Sequence, residues 1–199
     1  MTFVVVEGGE GSGKSTQVQM LASWLRERGH EVVVTFEPGD TKMGAAMREV
    51  LLHGDAPLDV RAELLLMLAD RAQHIAEVVG PALARGAVVV SDRYSPSTLA
   101  YQGVGRGLGV EVVDALNDFA TGGLAPDLVL VLDVDDDVAE ARVASQRDRV
   151  ERAGLAFHAQ VRAAYRDLAP ARGWLLVDGS GTPEEVAARV REAVAVILP

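Results

Sequence analysis

The chain has 199 residues, 49% of them hydrophobic, enough to enclose one core but cramped for two, so a single domain over 1–199 is expected. A formal net charge of −10 with no basic run tells against a nucleic-acid polymer as ligand, because phosphate neutralisation supplies most of such affinity. There is no cysteine for a disulfide or thiolate metal site, the histidines lack metal-site spacing, and the N-terminal apolar run is too short for a signal peptide or a membrane span; a cytoplasmic protein with no membrane partner is predicted.

In chain order, Phe3–Val6 reads as a strand and runs straight into Gly8-Gly9-Glu10-Gly11-Ser12-Gly13-Lys14-Ser15, which fits G-x-x-x-x-G-K-[ST]. The glycines let successive N–H groups face an anion, and a helix from Thr16 to Arg28, with Val18, Leu21, Ala22 and Leu25 on one face, adds its positive dipole end. Residues 8–16 are therefore the expected ATP-binding loop, with Lys14 reaching the β- and γ-phosphates and the Ser15 hydroxyl on Mg²⁺. Glu31–Phe36 is a second strand closed by Glu37-Pro38-Gly39-Asp40, and Met43–Leu51 a short helix stopped by Gly54 and Pro57. Asp59 opens a long helix interrupted or kinked at Gly80-Pro81 and finished by Gly86; its length and apolarity suggest that it also faces a partner subunit.

Ala87–Val90 is a third strand leading to Ser91-Asp92-Arg93-Tyr94, and a helix is expected near Ser95 with Pro96 at its first position. Gly103, Gly105, Gly107 and Gly109 predict a loop before a helix over Val110–Thr121. Leu128–Leu132 is a buried fourth strand ending in Asp133, and a helix from Asp137 leads into the Arg-dense segment 145–152, after which helicity resumes to Leu168. Trp174–Val177 is a fifth strand, and Thr182 caps a last helix with Pro183 at its first position. Short apolar strands alternating with helices predict an α/β fold: a parallel sheet covered on both faces, with ligands at the strand carboxyl ends, where Gly8, Glu37, Asp92 and Asp133 fall.

Several residues carry chemistry on physical grounds alone. A carboxylate at a strand end beside a phosphate loop can hold Mg²⁺; Asp92 and Asp133 both qualify, and Asp92 is favoured because adjoining Arg93 can clamp a phosphate bidentately. Taken alone, Arg48 reads as part of a solvated helix face, Arg71 as a surface pair with Asp70 or Glu63, and Tyr101 as core packing. Glu10 is a strange charge to find in a phosphate loop unless it binds something.

The phosphate loop with Glu10 at its third position, Glu37-Pro38-Gly39, Asp92-Arg93-Tyr94, Ala100-Tyr101-Gln102-Gly103 and Asp148-Arg149-Val150-Glu151 stand in the order and spacing of thymidylate kinases, and this resemblance covers nearly the whole chain. It implies a nucleoside-monophosphate-kinase-type three-layer sandwich with a five-stranded parallel sheet, a lid at about 145–153 and a homodimer. It implies ATP and dTMP as substrates with Mg²⁺ on Ser15 and Asp92, and an acceptor site that includes Glu37. In that site Arg93 and Arg48 hold the monophosphate, Arg71 reaches the thymine carbonyl, Ser97 and Gln102 contact the base, Glu10 lies near the 3′-hydroxyl and Tyr101 lies against the sugar. With no arginine in the phosphate loop, the catalytic cation is expected from the lid, Arg149 first, then Arg147 and Arg152. Two departures stand out: Phe36 where many relatives have arginine, and Met67 where relatives often stack a phenylalanine on thymine. The alternatives are another kinase of the same fold or, from a different class, a regulatory ATPase.

Overall fold

A computed structural model describes residues 2–142, 149 and 153–198. Five strands, β1 (Thr2–Gly8), β2 (Val32–Phe36), β3 (Val88–Asp92), β4 (Leu128–Asp133) and β5 (Leu175–Asp178), form one parallel sheet in the order β2-β3-β1-β4-β5. The central strand is apolar on both sides because both sides are covered. Phe3 and Val5 pack with Val89, Val129, Val131, Tyr94 and Tyr165 on one face, while Val4 and Val6 pack with Val90, Leu130, Leu132, Leu21, Leu25 and Val190 on the other. The period-2 alternation of a strand thus divides one apolar run between two cores.

The helices are α1 (Lys14–Glu27), α2 (Lys42–Arg48), α3 (Val60–His74), α4 (Gly80–Ala84), α5 (Ser95–Thr98), α6 (Val110–Thr121), α7 (Asp136–Arg142), α8 (Leu155–Arg172) and α9 (Pro183–Ala195). Asp59 caps α3, and Thr182 with Glu185 forms a reciprocal capping box at α9. Among the described residues no helix is long and apolar enough to cross a membrane.

The structure refines three sequence expectations. The interruption expected at Gly80-Pro81 is a π-turn over Ile75–Val79 that joins α3 to α4, and the Gly80 N–H bonds back to Ile75 O. The wider turn comes immediately before the proline that lacks an N–H for the ladder. Secondly, Gly103 and Gly105 are not loop residues, because Leu99–Gly105 is also π-helical and only 106–109 is a connection. Gly105 is there for room, since a Cβ on it would lie 2.8 Å from the Phe157 ring. Thirdly, α8 runs past Leu168 to Arg172 with Pro170 in its last turn, and β3 extends through Ser91 and Asp92.

Gly105→Ala should therefore act by overpacking Phe157, destabilising the protein by about 1–3 kcal/mol. Thermal denaturation should show a Tm about 2–4 °C lower per kcal/mol at this chain length. An unchanged Tm would mean that Gly105 is merely a tolerant connector.

Candidate active site

The sheet register brings the expected chemistry to one edge. Phe36 pairs with Asp92, Val6 with Asp92 and Gly8 with Leu132, so the ends of β2, β3, β1 and β4 lie side by side, and a cleft of about 460 Å³ opens above the first three. Glu10, Gly11, Lys14, Ser15 and Asp92 line its phosphate-loop end. Glu37, Arg48, Met67, Arg71, Arg93, Ser97, Tyr101 and Gln102 line the remainder. Of the expected loop set, Gly8, Gly9, Ser12 and Gly13 build the curl behind the cleft, and Thr16 is exposed on α1.

The loop's shape follows from its glycines. Gly11 has φ 73°, and a Cβ there would be 2.3 Å from the Ala139 carbonyl oxygen on α7, so the loop sits directly on that helix. Ser12 Oγ donates to Gly9 O at 2.8 Å, and the Lys14 ammonium, buried, donates to the same carbonyl at 2.8 Å. Burial, helped by repulsion from Arg93, lowers the Lys14 pKa to about 7 against the pull of Asp92, Glu7 and Glu10. Ser15 Oγ donates to Asp92 Oδ2 at 2.7 Å, whereas Asp133 accepts from Arg166 Nε at 2.9 Å on both oxygens. Of the two strand-end aspartates, Asp92 is the one bonded to the phosphate-loop serine, whereas Asp133 is committed to an ion pair.

The arginines are held before any ligand arrives. Arg93, at φ 76°, an uncommon conformation for a residue with a Cβ, donates to Gly8 O (3.3 Å), Ser97 Oγ (3.0 Å) and Tyr101 OH (3.2 Å). Arg48 is not on a solvated face: Nη1 donates to Pro38 O at 2.6 Å, and its guanidinium lies 5.7 Å from the Phe36 ring. Phe36 thus puts an aromatic ring beside Arg48. Arg71 is not in a surface pair either. It is 2% exposed, meets Glu37 Oε2 through Nε and Nη2 at 2.9 and 2.8 Å, and donates from Nη1 to Thr98 Oγ1 and Asn117 Oδ1. Glu37 Oε1 accepts from His74 Nδ1 at 2.8 Å, and Glu10 lies 3.6 Å from His158 Nε2.

Sequence reasoning missed His74, Thr98, Asn117, His158 and, most of all, Glu7. The fully buried Glu7 carboxylate accepts from Tyr94 N, Ser97 N, Ser97 Oγ and Tyr165 OH, with Arg93 at 4.0 Å. Burial nevertheless pushes its pKa up, with Arg93 the largest opposing influence. The signal was available, since a carboxylate inside an apolar strand needs partners. Asp70 was named only as a possible partner for Arg71. It is buried with Oδ2 unpaired, accepts from Gly39 N, and has its pKa raised to about 6 by burial and the nearby Glu37. Arg147 and Arg152 lie outside the described residues, as does the rest of 145–153 apart from Arg149 and Ala153; the Arg149 N–H donates to Leu52 O at 3.0 Å.

A phosphate loop, a Ser15–Asp92 oxygen pair and a second set of arginines thus share one cleft, and residues 6–190 match the family described as thymidylate kinase. The chain belongs to the thymidylate kinase family. It is 50% identical over 199 residues to a thymidylate kinase of Synechococcus sp. (strain JA-2-3B'a(2-13)), covering 99% of this chain and 96% of that one. It is also 50% identical over 194 residues to that of Leifsonia xyli subsp. xyli (strain CTCB07), covering 95% and 92%. The crystal structure of thymidylate kinase from Ehrlichia chaffeensis matches with a TM-score of 0.80 at 30% identity, covering 97% of this chain and 98% of that chain. These relationships make the protein a phosphotransferase of the nucleoside-monophosphate-kinase fold.

The depressed Lys14 pKa has a consequence for nucleotide binding. Between about pH 7 and the ordinary lysine value of 10.5 the free site is mostly unprotonated, whereas phosphates stabilise the ammonium, so binding takes up protons in that window. Calorimetry of ATP binding at pH 8 in two buffers of different ionisation enthalpy should report an uptake approaching one proton, lost in Lys14→Met. Identical apparent enthalpies in the two buffers would refute this.

Proposed function

We propose that the chain transfers the γ-phosphoryl group of ATP to dTMP, giving ADP and dTDP. The observation that carries this reading is the shared cleft: Lys14, Ser15 and Asp92 line it together with Arg48 and Arg93, two cations beyond the phosphate loop that suit a second small anion. A regulatory ATPase has no use for a second anion site. Among kinases of the same fold, a keto pyrimidine is favoured by what remains unpaired. The contacts of Arg71 leave one Nη2 N–H, suited to a carbonyl at C4, and Gln102 donates its amide nitrogen to Glu63 at 2.7 Å, keeping its carbonyl to accept from N3–H. Tyr101 against the sugar and Glu10 near the 3′-hydroxyl complete the deoxyribose site, with Ser97 at the nucleotide and Met67 at the ring face, where a thioether replaces the usual aromatic.

Ser15 Oγ and the Asp92 carboxylate, both oxygen donors, fit Mg²⁺, which when bound neutralises charge on the transferring phosphoryl group. Arg149 is our reading of the catalytic cation from the segment at about 145–153; in support, its backbone N–H bonds to Leu52 O, Leu52 lines the cleft, and its Nη2 is buried with no acceptor among the described residues. Leu65 on α3 and Val112 and Phe119 on α6 are exposed apolar side chains on packed helices, in keeping with a homodimer.

A coupled ADP-release assay over a panel of mononucleotides tests the reading. We expect dTMP to be the best acceptor and dUMP to be poorer by about 10–200-fold, the worth of one methyl group in an apolar pocket. Turnover of dTMP no better than that of dGMP or dCMP would sink the assignment.

Arg149→Ala should lower kcat by about 10³–10⁵ and leave the dissociation constant of dTMP nearly unchanged, because a cation delivered on closure acts in the transition state. A kcat within a fewfold of the parent would move the role to another lid arginine.

A further inference from the structure

A glutamine facing a base has a problem of sense. Its carbonyl and amide nitrogen are nearly equal in shape, and a half-turn about the last side-chain bond exchanges acceptor for donor. On the pyrimidine edge that exchange is decisive, since thymine offers an acceptor at O4 and a donor at N3, whereas cytosine offers a donor at N4 and an acceptor at N3. Something must hold Gln102 in one sense.

The structure shows what does. Gln102 lies in the π-turn Leu99–Gly105, 3% exposed, with Nε2 2.7 Å from Glu63 Oε1. A carboxylate only accepts, so the amide nitrogen must face Glu63 and the carbonyl must face away. No group among the described residues donates to Gln102 Oε1, and Gln102 lines the cleft whereas Glu63 does not. Glu63, itself 3% exposed on α3, is kept in place by Arg106, whose Nε and Nη2 donate to its two oxygens at 3.2 Å each. Arg106 in turn lies over the Phe157 ring at 4.5 Å, and its N–H bonds to Tyr101 O at 2.8 Å. The Arg106–Glu63–Gln102 relay thus starts from a packed ring and ends at one carbonyl oxygen in the cleft.

We infer that Glu63 is the positioning residue that sets the hydrogen-bonding sense of Gln102, and with it the preference for a keto over an amino pyrimidine edge. It touches no substrate and acts only through Gln102. The inference rests on the cleft being the dTMP site, and it assigns pyrimidine discrimination to a residue outside that cleft. With glutamine at 63 the partner can donate as well as accept, so Gln102 is free to turn, and some molecules present N–H to a base that also presents N–H.

The test is the ratio of kcat/KM for dTMP to that for dCMP, which a generally loosened protein does not shift. Glu63→Gln should lower the ratio about 10–100-fold, the cost of a mispaired buried polar group, through a loss on dTMP and a smaller gain on dCMP, with KM for ATP unchanged. The loss should dominate because the Arg71 N–H still opposes the cytosine amino group. The exchange variant Glu63→Gln/Gln102→Glu should restore the ratio, since a carboxylate at 102 presents an acceptor whichever way it turns. A parent that prefers dTMP, with Glu63→Gln holding the ratio within twofold, overturns the role of Glu63 and leaves the cleft assignment standing. A parent that does not phosphorylate dTMP overturns both. If Glu63→Gln is too unstable to assay, Glu63→Ala, which likewise leaves the Gln102 amide free to turn, decides: a ratio lowered about tenfold or more supports the inference, and a ratio within twofold of the parent in a folded protein overturns it.

Discussion

A carboxylate buried in the strand just before the phosphate loop is the constraint on which the site's geometry depends. Glu7 has no water to solvate it, so its neighbours must, and they come from separate parts of the chain: Tyr94 N, Ser97 N and Ser97 Oγ after β3, and Tyr165 OH from α8. Each donor fixes a piece of the cleft. Arg93 is drawn to within 4.0 Å of the same charge, which helps explain why a residue with a Cβ holds φ 76° there: the surrounding bonds over-determine it. The phosphate loop leaves β1 from this anchored point. Removing one partner would leave a buried polar group unsatisfied, which costs more than the bond itself contributes.

A second buried charge cluster works in the same way elsewhere along the cleft. Glu37, at the end of β2, takes Arg71 on one oxygen and His74 on the other, and His74 Nε2 meets Thr35 Oγ1, so α3 is locked to β2 along the cleft. Breaking such a pair from one side is costly even though the pair adds little to net stability. What the arrangement provides is position: the guanidinium of Arg71 is committed to protein acceptors except for one N–H, the group that the proposed thymine contact would use.

The architecture was legible because every strand is built on a short apolar run, and the helix starts carry their own caps at Asp59 and Thr182. The phosphate loop was legible for the same local reason. The π-turns were not, because the same apolar spacing suits α and π geometry, and Gly103 and Gly105 look like loop residues until Phe157, fifty positions on, is seen to need the space. The roles of Arg48 and Arg71 were undecidable by spacing, since their partners Pro38, Glu37 and Asn117 lie on other elements. Arg71 and His74 are one helical turn apart and so share a face, a regularity that points to a joint partner but does not name it. Resemblance to a family supplied roles for single residues; it was silent on which neighbours hold them.

An acidic protein that binds anionic nucleotides also has to reconcile its net charge of −10 with its site. Over a screening length of about 8 Å the distant carboxylates count for little, and the field in the cleft is set by Lys14, Arg48 and Arg93 against Glu10 and Asp92. A set of mobile cations could supply the same charge, but ordering them on binding would cost about 0.5–1.5 kcal/mol for each long side chain. Here that ordering is done during folding. Arg93 is fixed by Gly8, Ser97 and Tyr101, and Arg48 by Pro38 and the ring of Phe36, so both guanidinium groups at the cleft are already ordered by the protein. Of the carboxylates near the cleft, Glu37 pairs directly with Arg71, and Glu7 acts on Arg93 at 4.0 Å and through Ser97, whose hydroxyl it holds, so part of the local acidity orders guanidinium groups instead of only opposing an anion.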